Sequence, residues 1–213
     1  MKKIIVIGAS SGIGLNVVKI ALSRGYKVNA FSRSANSINI DNPNLNKIEG
    51  DALNAEDVNK AIYGNDVVIQ TLGVPFNMKL FTGPISLFSI STKNIISTMT
   101  ELNVKRLISV TGFGAGDSNK SIHPLQRAGF NLIFGRAYSD KDKQEDLITA
   151  SDLNWTIVRP GVLVDFIKNQ KFKALMEKQE WRNGIISRYG VADFIVSQVD
   201  EEAFINKAPV LIS

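Results

Sequence analysis

The sequence predicts an α/β fold, a doubly wound parallel sheet of about seven strands in a single domain spanning residues 1–213. Three observations carry this. Short apolar runs alternate with helix-like patterns along the whole chain, the first run ends in a glycine-rich turn that opens a helix, and no linker or repeat divides the sequence.

The strands are expected at Lys2–Ile7, Lys27–Phe31, Leu45–Glu49, Asp66–Thr71, Arg106–Val110, Trp155–Arg159 and Ala208–Ser213. Between the first two, Val17, Val18, Ile20, Ala21 and Leu22 give a helix from Ile13 to Arg24 its apolar face, and Gly25 stops it. Asn54 is placed to cap a helix that runs through Ile62 and ends at Gly64. A longer helix is expected over Ile85 to Leu102, one capped by Ser139 over Asp140 to Ala150, and one from about Tyr189 to Val199. Two segments break the alternation, about 112–137 and 165–184. Both follow strands and are expected to wall a substrate pocket at the carboxyl edge of the sheet, where open α/β sheets bind ligands; the second contains a short strand near Phe172.

Composition narrows the chemistry. The 213 residues are 44% hydrophobic and 21% charged, as in an ordinary globular chain. No apolar run reaches the roughly 18 residues of a membrane span, and the first apolar run ends in a glycine turn rather than a cleavage site, so a cytoplasmic protein with no membrane partner is expected. With no cysteine and a single histidine, His123, no metal site is expected. The net charge of +5 is spread along the chain, and even its densest group, Lys168, Lys171, Lys173 and Lys178, is interrupted by acidic and apolar residues. A solvated face and an anionic small-molecule ligand are expected, not nucleic acid.

The opening turn is Gly8-Ala9-Ser10-Ser11-Gly12-Ile13-Gly14. Gly8 lets the chain leave the strand sharply, Gly12 lets backbone N–H groups approach a pyrophosphate, and Gly14 lets the helix pack on the strand. The helix N-terminus then faces the anion, with Ser10, Ser11 and Ile13 completing the loop. No Lys-Ser or Lys-Thr closes it, which excludes a Walker A loop. After the second strand comes Phe31-Ser32-Arg33-Ser34, with no carboxylate before Asp41. A carboxylate about 4 Å from the extra phosphate of NADP would cost about 4 kcal/mol at an effective dielectric of about 20, whereas Arg33 attracts it. NADP(H) is therefore expected over NAD(H), with Arg33 and Ser34 at its 2′-phosphate.

With the spacing Gly-x-x-x-Gly-x-Gly and the opening Ile7-Gly8-Ala9-Ser10-Ser11-Gly12-Ile13-Gly14, the chain resembles the short-chain dehydrogenase/reductase superfamily, which implies a Rossmann-like fold. The segments Ile108 to Asp117, Lys141 to Glu145, Trp155 to Gly161 and Val191 to Phe194 resemble its atypical branch, which includes NAD(P)H-binding oxidoreductases, flavin and biliverdin reductase-like proteins and NmrA-like cofactor sensors. The resemblance implies that Asp51 and Ala52 contact the adenine, that Leu72 and Gly73 lie beside ribose and nicotinamide, and that Pro160 and Gly161 lie near the carboxamide. It also implies a Tyr-x-x-x-Lys pair with a serine, but four places before Lys141 stands Ala137, and Tyr138 is displaced by about 100° around a helix. Thr111 is the hydroxyl where the serine is expected, leaving Thr111, Lys141 and Tyr138 as candidate catalytic residues.

Hydride transfer needs mainly positioning, so the expected function is an NADPH-dependent reductase of a small planar or carbonyl-containing acceptor such as a flavin or quinone. The alternative is a non-catalytic NADP(H) sensor of the NmrA-like type. His123 is read as a surface loop residue or a proton donor, and Phe130, Phe134 and Tyr138, on one helix face, as core packing or a pocket wall. Oligomeric state stays open at this level.

Overall fold

The computed structural model describes residues 2–74, 86–121, 124–165 and 172–213, the side chains of 124–134 excepted. Its sheet has eight strands in the order β3-β2-β1-β4-β5-β6-β10-β8. They are β1 (Lys3–Ile7), β2 (Lys27–Ser32), β3 (Leu45–Glu49), β4 (Val67–Gln70), β5 (Arg106–Val110), β6 (Asn154–Pro160), β8 (Lys173–Leu175) and β10 (Val210–Ile212). The pairs along β3 to β10 are parallel, and β8 runs antiparallel to β10 at the edge. A separate parallel ribbon pairs β7 (Val162–Val164) with β9 (Ile185–Ser187).

Among the described residues, five α-helices cover the faces: α1 (Gly12–Ser23), α2 (Ala55–Ile62), α3 (Leu87–Glu101), α4 (Pro124–Thr149) and α5 (Arg188–Ser197). The residues of β1 explain why its run is continuously apolar. Ile4 and Val6 face α1 and α5, among Val17, Val18, Val191 and Ile195, while Ile5 and Ile7 face the α2–α4 side, among Val58, Ile95, Met99 and Ile148. Side chains alternate along a strand, so a sheet covered twice needs apolar residues at every position. Asn54 caps α2 by accepting hydrogen bonds from the Glu56 and Asp57 N–H groups.

Two features differ from expectation. The 112–137 segment is not all loop: α4 begins at Pro124, so Ser139 lies inside the helix and caps nothing. Proline suits a first helical position, where its missing N–H costs nothing, and packing of the later turns against β5 and α3 offsets Gly129 and Gly135, each worth about 1 kcal/mol against a helix. The carboxylate of the neighbouring Asp140 instead caps α3 from the side, accepting from the Phe88 and Ser89 N–H groups and from the Ser89 hydroxyl. The second difference is the strand near Phe172, which joins the main sheet as its eighth member. His123, Lys168 and Lys171 lie outside the described residues, as do the side chains of Phe130 and Phe134.

Candidate functional site at the carboxyl edge of the sheet

Because β1 to β6 run parallel, the residues that follow them gather on one edge: Gly8 after β1, Arg33 after β2, Asp51 after β3, Leu72 after β4, Thr111 after β5 and Gly161 after β6. At the β1 end the site is a cradle without side chains. Gly8 has φ +91°, donates its N–H to Phe31 O at 2.9 Å, and a Cβ on it would sit 3.0 Å from the Thr71 carbonyl. Gly14 is pressed against the same corner, where a Cβ would come within 2.6 Å of Thr71 Oγ1 and closer still to Gly8 O. Thr71 closes the corner by donating its hydroxyl to Ile7 O at 3.0 Å.

Gly12 is different. With φ +57°, its missing Cβ would meet, among the described residues, only the end of the Arg188 side chain, Cδ at an uncrowded 3.9 Å. Ser11 makes no side-chain cap on α1, and the first turn of the helix holds no acidic residue. The N–H groups of that turn and the helix dipole therefore meet no acidic side chain from the helix's own first turn. A cradle that a Cβ would fill, lined by uncommitted N–H donors, fits a diphosphate.

Along the edge from this cradle, Arg33 and Ser34 are exposed, and among the described residues no carboxylate pairs with Arg33. The Asp51 carboxylate accepts from Leu53 N–H at 3.0 Å, and Asn94 anchors the adjoining turn by donating to Ala52 O at 3.2 Å. Leu72 is half-buried beside Phe88 and Ala137, whereas Gly73 has nothing within 4 Å of its Cβ position. Pro160 is buried, and Gly161 abuts the backbone of Gly184.

The β5–β6 end is built from buried charge. Glu145 of α4 receives two hydrogen bonds from Arg159, Nε to Oε1 at 3.1 Å and Nη2 to Oε2 at 2.6 Å. Both side chains are 5% exposed. Arg159 also pairs with Asp117 at 2.8 Å, Asp117 with Lys178 at 2.6 Å, and the guanidinium lies 5.0 Å from the centre of the Trp181 ring. Burial pushes the Asp117 carboxyl up, but the bonds and charges of Lys178 and Arg159 outweigh it and hold the group below its usual range. Burial likewise works against the Arg159 charge, and Glu145 more than restores it. Gly116 sits against this pair, where a Cβ would lie 3.1 Å from Arg159 Nη2.

Thr111, Tyr138 and Lys141 come together at this end. Thr111 donates its hydroxyl proton to Glu145 Oε1 at 2.7 Å, so its oxygen is left to accept. Lys141 donates to the Thr111 carbonyl and lies 4.7 Å above the Phe88 ring. Burial lowers its pKa to about 8, against an upward pull from Glu145. Ala137, where the resembled families carry tyrosine, packs inward with Phe88, while the Tyr138 hydroxyl lies against Gly112, 2.6 Å from its Cβ position. Burial and the Glu145 charge raise the Tyr138 pKa to about 12.

The sequence did not reveal the partners that hold these residues. Glu145, Arg159, Asp117 and Lys178 form one chain of ion pairs, and Gln70, Thr92, Ser109 and Gln144 form a buried network beside it, with Gln144 Nε2 donating to Ser109 Oγ at 2.9 Å. Arg159, directly after the apolar Ile157 and Val158 in a strand expected to be buried, was the available signal, since a buried arginine requires a carboxylate.

A family model described as NAD(P)H-binding matches residues 8–202. The chain belongs to this family, which is related to the short-chain dehydrogenases/reductases. Among curated relatives, a chloroplastic uncharacterized protein of Arabidopsis thaliana, At2g34460, is 28% identical over 94% of this chain and 73% of its own length. Protein TIC 62 of the same plant is 28% identical over 74% of this chain, but the match spans only 27% of TIC 62. Among solved structures, a Rossmann-fold NAD(P)-binding family protein from Shigella flexneri is 28% identical, with TM-score 0.70 over 99% of this chain and 93% of that one. The ChuY anaerobillin reductase of Escherichia coli O157:H7 has TM-score 0.79 at 23% identity, covering 99% and 96% of the two chains. A short-chain dehydrogenase/reductase of Veillonella parvula in complex with NADP has TM-score 0.82 at 17% identity, covering 100% and 94%. At such identities the last two establish the shared fold. Fold and family are those of NAD(P)H-dependent oxidoreductases, and among the described residues no helix is long and apolar enough to cross a membrane.

Proposed function

We propose that this family member is a cytoplasmic NADPH-dependent reductase acting on a small planar or carbonyl-containing acceptor, a flavin, quinone or related conjugated system. The observation that carries the reading is the pairing of an open glycine cradle with an unpaired Arg33 at the end of β2. Gly8, Ser10, Ser11, Gly12 and Ile13 would hold the diphosphate, Arg33 and Ser34 the 2′-phosphate, Asp51 and Ala52 the adenine, and Leu72, Gly73, Pro160 and Gly161 the nicotinamide half. When bound, the cofactor supplies hydride.

The chain's own residues position and exclude water. Thr111, its hydroxyl donating to Glu145, would accept from a ligand donor and orient it. Lys141 places a charge beside Thr111, and Tyr138, with its proton held more tightly than in water, is a poor acid. Reduction of a conjugated acceptor suits such a site, because solvent can supply the proton. The segments 112–137 and 165–184 would form the acceptor's walls, a role in keeping with the reductase named among the structural neighbours. The test is NADPH oxidation against a panel of flavins, quinones, open-chain tetrapyrroles and aldehydes, followed at the nicotinamide absorbance. Turnover of a conjugated acceptor supports the reading; tight NADPH binding with no turnover across the panel overturns it.

A second reading, a non-catalytic NADP(H) sensor, is favoured by Ala137 standing where a catalytic tyrosine would. It requires a partner protein whose affinity differs between the NADP and NADPH forms.

A further inference from the structure

The β7–β9 ribbon lies outside the main sheet, and the residues at its end are explained by nothing above. Its register pairs Val162 with Ile185, Leu163 with Ile186 and Val164 with Ser187. The next position on each strand is Asp165 and Arg188, and these form an ion pair at 2.6 Å through Arg188 Nη1. Arg188 is also the first residue of α5, which packs along α1 on the same face of the sheet. Arg24 with Asp193 at 2.5 Å, and Lys2 with Asp200 at 2.8 Å, tie α5 and the residues after it to α1 and β1. Arg188 is thus held by Asp165 at the head of a helix anchored to α1, and its Cδ and Nε lie 3.9 and 4.0 Å from the Cβ position of Gly12.

We infer that Arg188 clamps the diphosphate of the dinucleotide against the glycine turn, with Asp165 holding the guanidinium in place by its far nitrogen. This rests on the cofactor reading above. An arginine offers two N–H edges to an oxyanion. With Nη1 committed to Asp165, the Nε–Nη2 edge has no acceptor among the described residues, and Nε itself lies 4.0 Å from the Gly12 Cβ position. Its geometry matches two oxygens of a phosphate group, and a planar fork held in advance loses little freedom on binding. The α1 N-terminus supplies N–H donors from one side; Arg188 supplies the charge from the other. A Cβ at Gly12 would fill the gap between them, which gives that glycine a second reason to be there.

The test is calorimetric titration of the full chain and its Arg188→Gln and Arg188→Lys variants with NADPH, ADP-ribose and 2′-AMP. ADP-ribose carries the diphosphate, and 2′-AMP lacks it. Arg188→Gln is expected to weaken NADPH and ADP-ribose by about tenfold or more, the range of a charged hydrogen bond, while 2′-AMP binds within about twofold of the parent. Arg188→Lys, which keeps the charge without the fork, is expected to recover only part of the loss. Unchanged ADP-ribose affinity in Arg188→Gln overturns the inference while leaving the cofactor reading intact. Equal losses for ADP-ribose and 2′-AMP also overturn it, because they report a general disturbance. Failure of the parent chain to bind NADPH or ADP-ribose removes the cofactor reading itself, and the clamp with it.

Discussion

At the β1 end of the carboxyl edge the site is made by leaving side chains out, whereas at the β5–β6 end it is made by burying charged ones. Gly8, Gly12 and Gly14 form a cavity bounded by backbone, so the ligand must supply the charge. Glu145, Arg159, Asp117 and Lys178 instead neutralise one another within the protein, and what Glu145 holds in place is Thr111. The first region is complementary to a ligand; the second is complementary to itself. Damage to the first should therefore cost binding, and damage to the second should cost folding.

The largest expected effect tests the charged end. Glu145→Ala leaves Arg159 buried with only Asp117 opposite, and breaking such a pair typically costs about 3–5 kcal/mol, read as a lower urea midpoint. Replacing both partners by methionine should recover most of that loss, since the uncompensated charge is gone. If Glu145→Ala were as stable as the parent, the pair would not be what organises this end.

Next come two glycines of the same turn with different roles. Gly14→Ala drives a methyl into Gly8 and Thr71 and should destabilise by about 1–3 kcal/mol. Gly12→Ala meets only the Arg188 side chain, at an ordinary contact distance of 3.9 Å, so beyond about 1 kcal/mol of backbone strain it should leave the melting temperature alone while sharply weakening NADPH binding. Equal melting losses for the two would erase the distinction between a packing glycine and a ligand-facing one. Arg33→Asp is expected to weaken NADPH about 30-fold more than NADH, a difference of about 2 kcal/mol. Equal losses would remove Arg33 from the 2′-phosphate.

The smallest effect concerns pH and joins the two regions. Lys141 loses its proton near pH 8 in the folded protein, below the unfolded value of about 10.4. Between those values the unfolded chain binds more protons, so stability should rise with pH. Cofactor affinity should move the other way, falling as the charge beside Thr111 is lost. Lys141→Arg should flatten the binding profile, and a profile unchanged in that variant would show that another group titrates.

The alternation of strands and helices, the glycine turn and the Asn54 cap were legible because each depends on neighbours a few residues away. The start of α4 was not. Gly112, Gly114 and Gly116 mark a real irregular stretch, and Gly129 and Gly135 extended that signature into what is a helix, where tertiary contacts of its later turns override weak local propensity. Thr111, Tyr138 and Lys141 could be named from the sequence, but their states could not. That the Thr111 hydroxyl is already committed as a donor depends on Glu145, thirty-four positions later in the chain. The same holds for Arg188, whose place over Gly12 depends on the register of a two-stranded ribbon.

That β8 is bonded to β10 has a consequence for the order in which the molecule can assemble during synthesis. Each of β2, β3, β4, β5 and β6 finds, as it is made, a neighbouring strand already present. For β8 the order is reversed: its partner is made after the β9 strand and the whole of α5. The N-terminal half can therefore take shape while the ribosome is still translating, whereas β8 must wait for β10. Slowing translation after β6 should leave a nascent chain with a formed nucleotide cradle and an unfinished far edge.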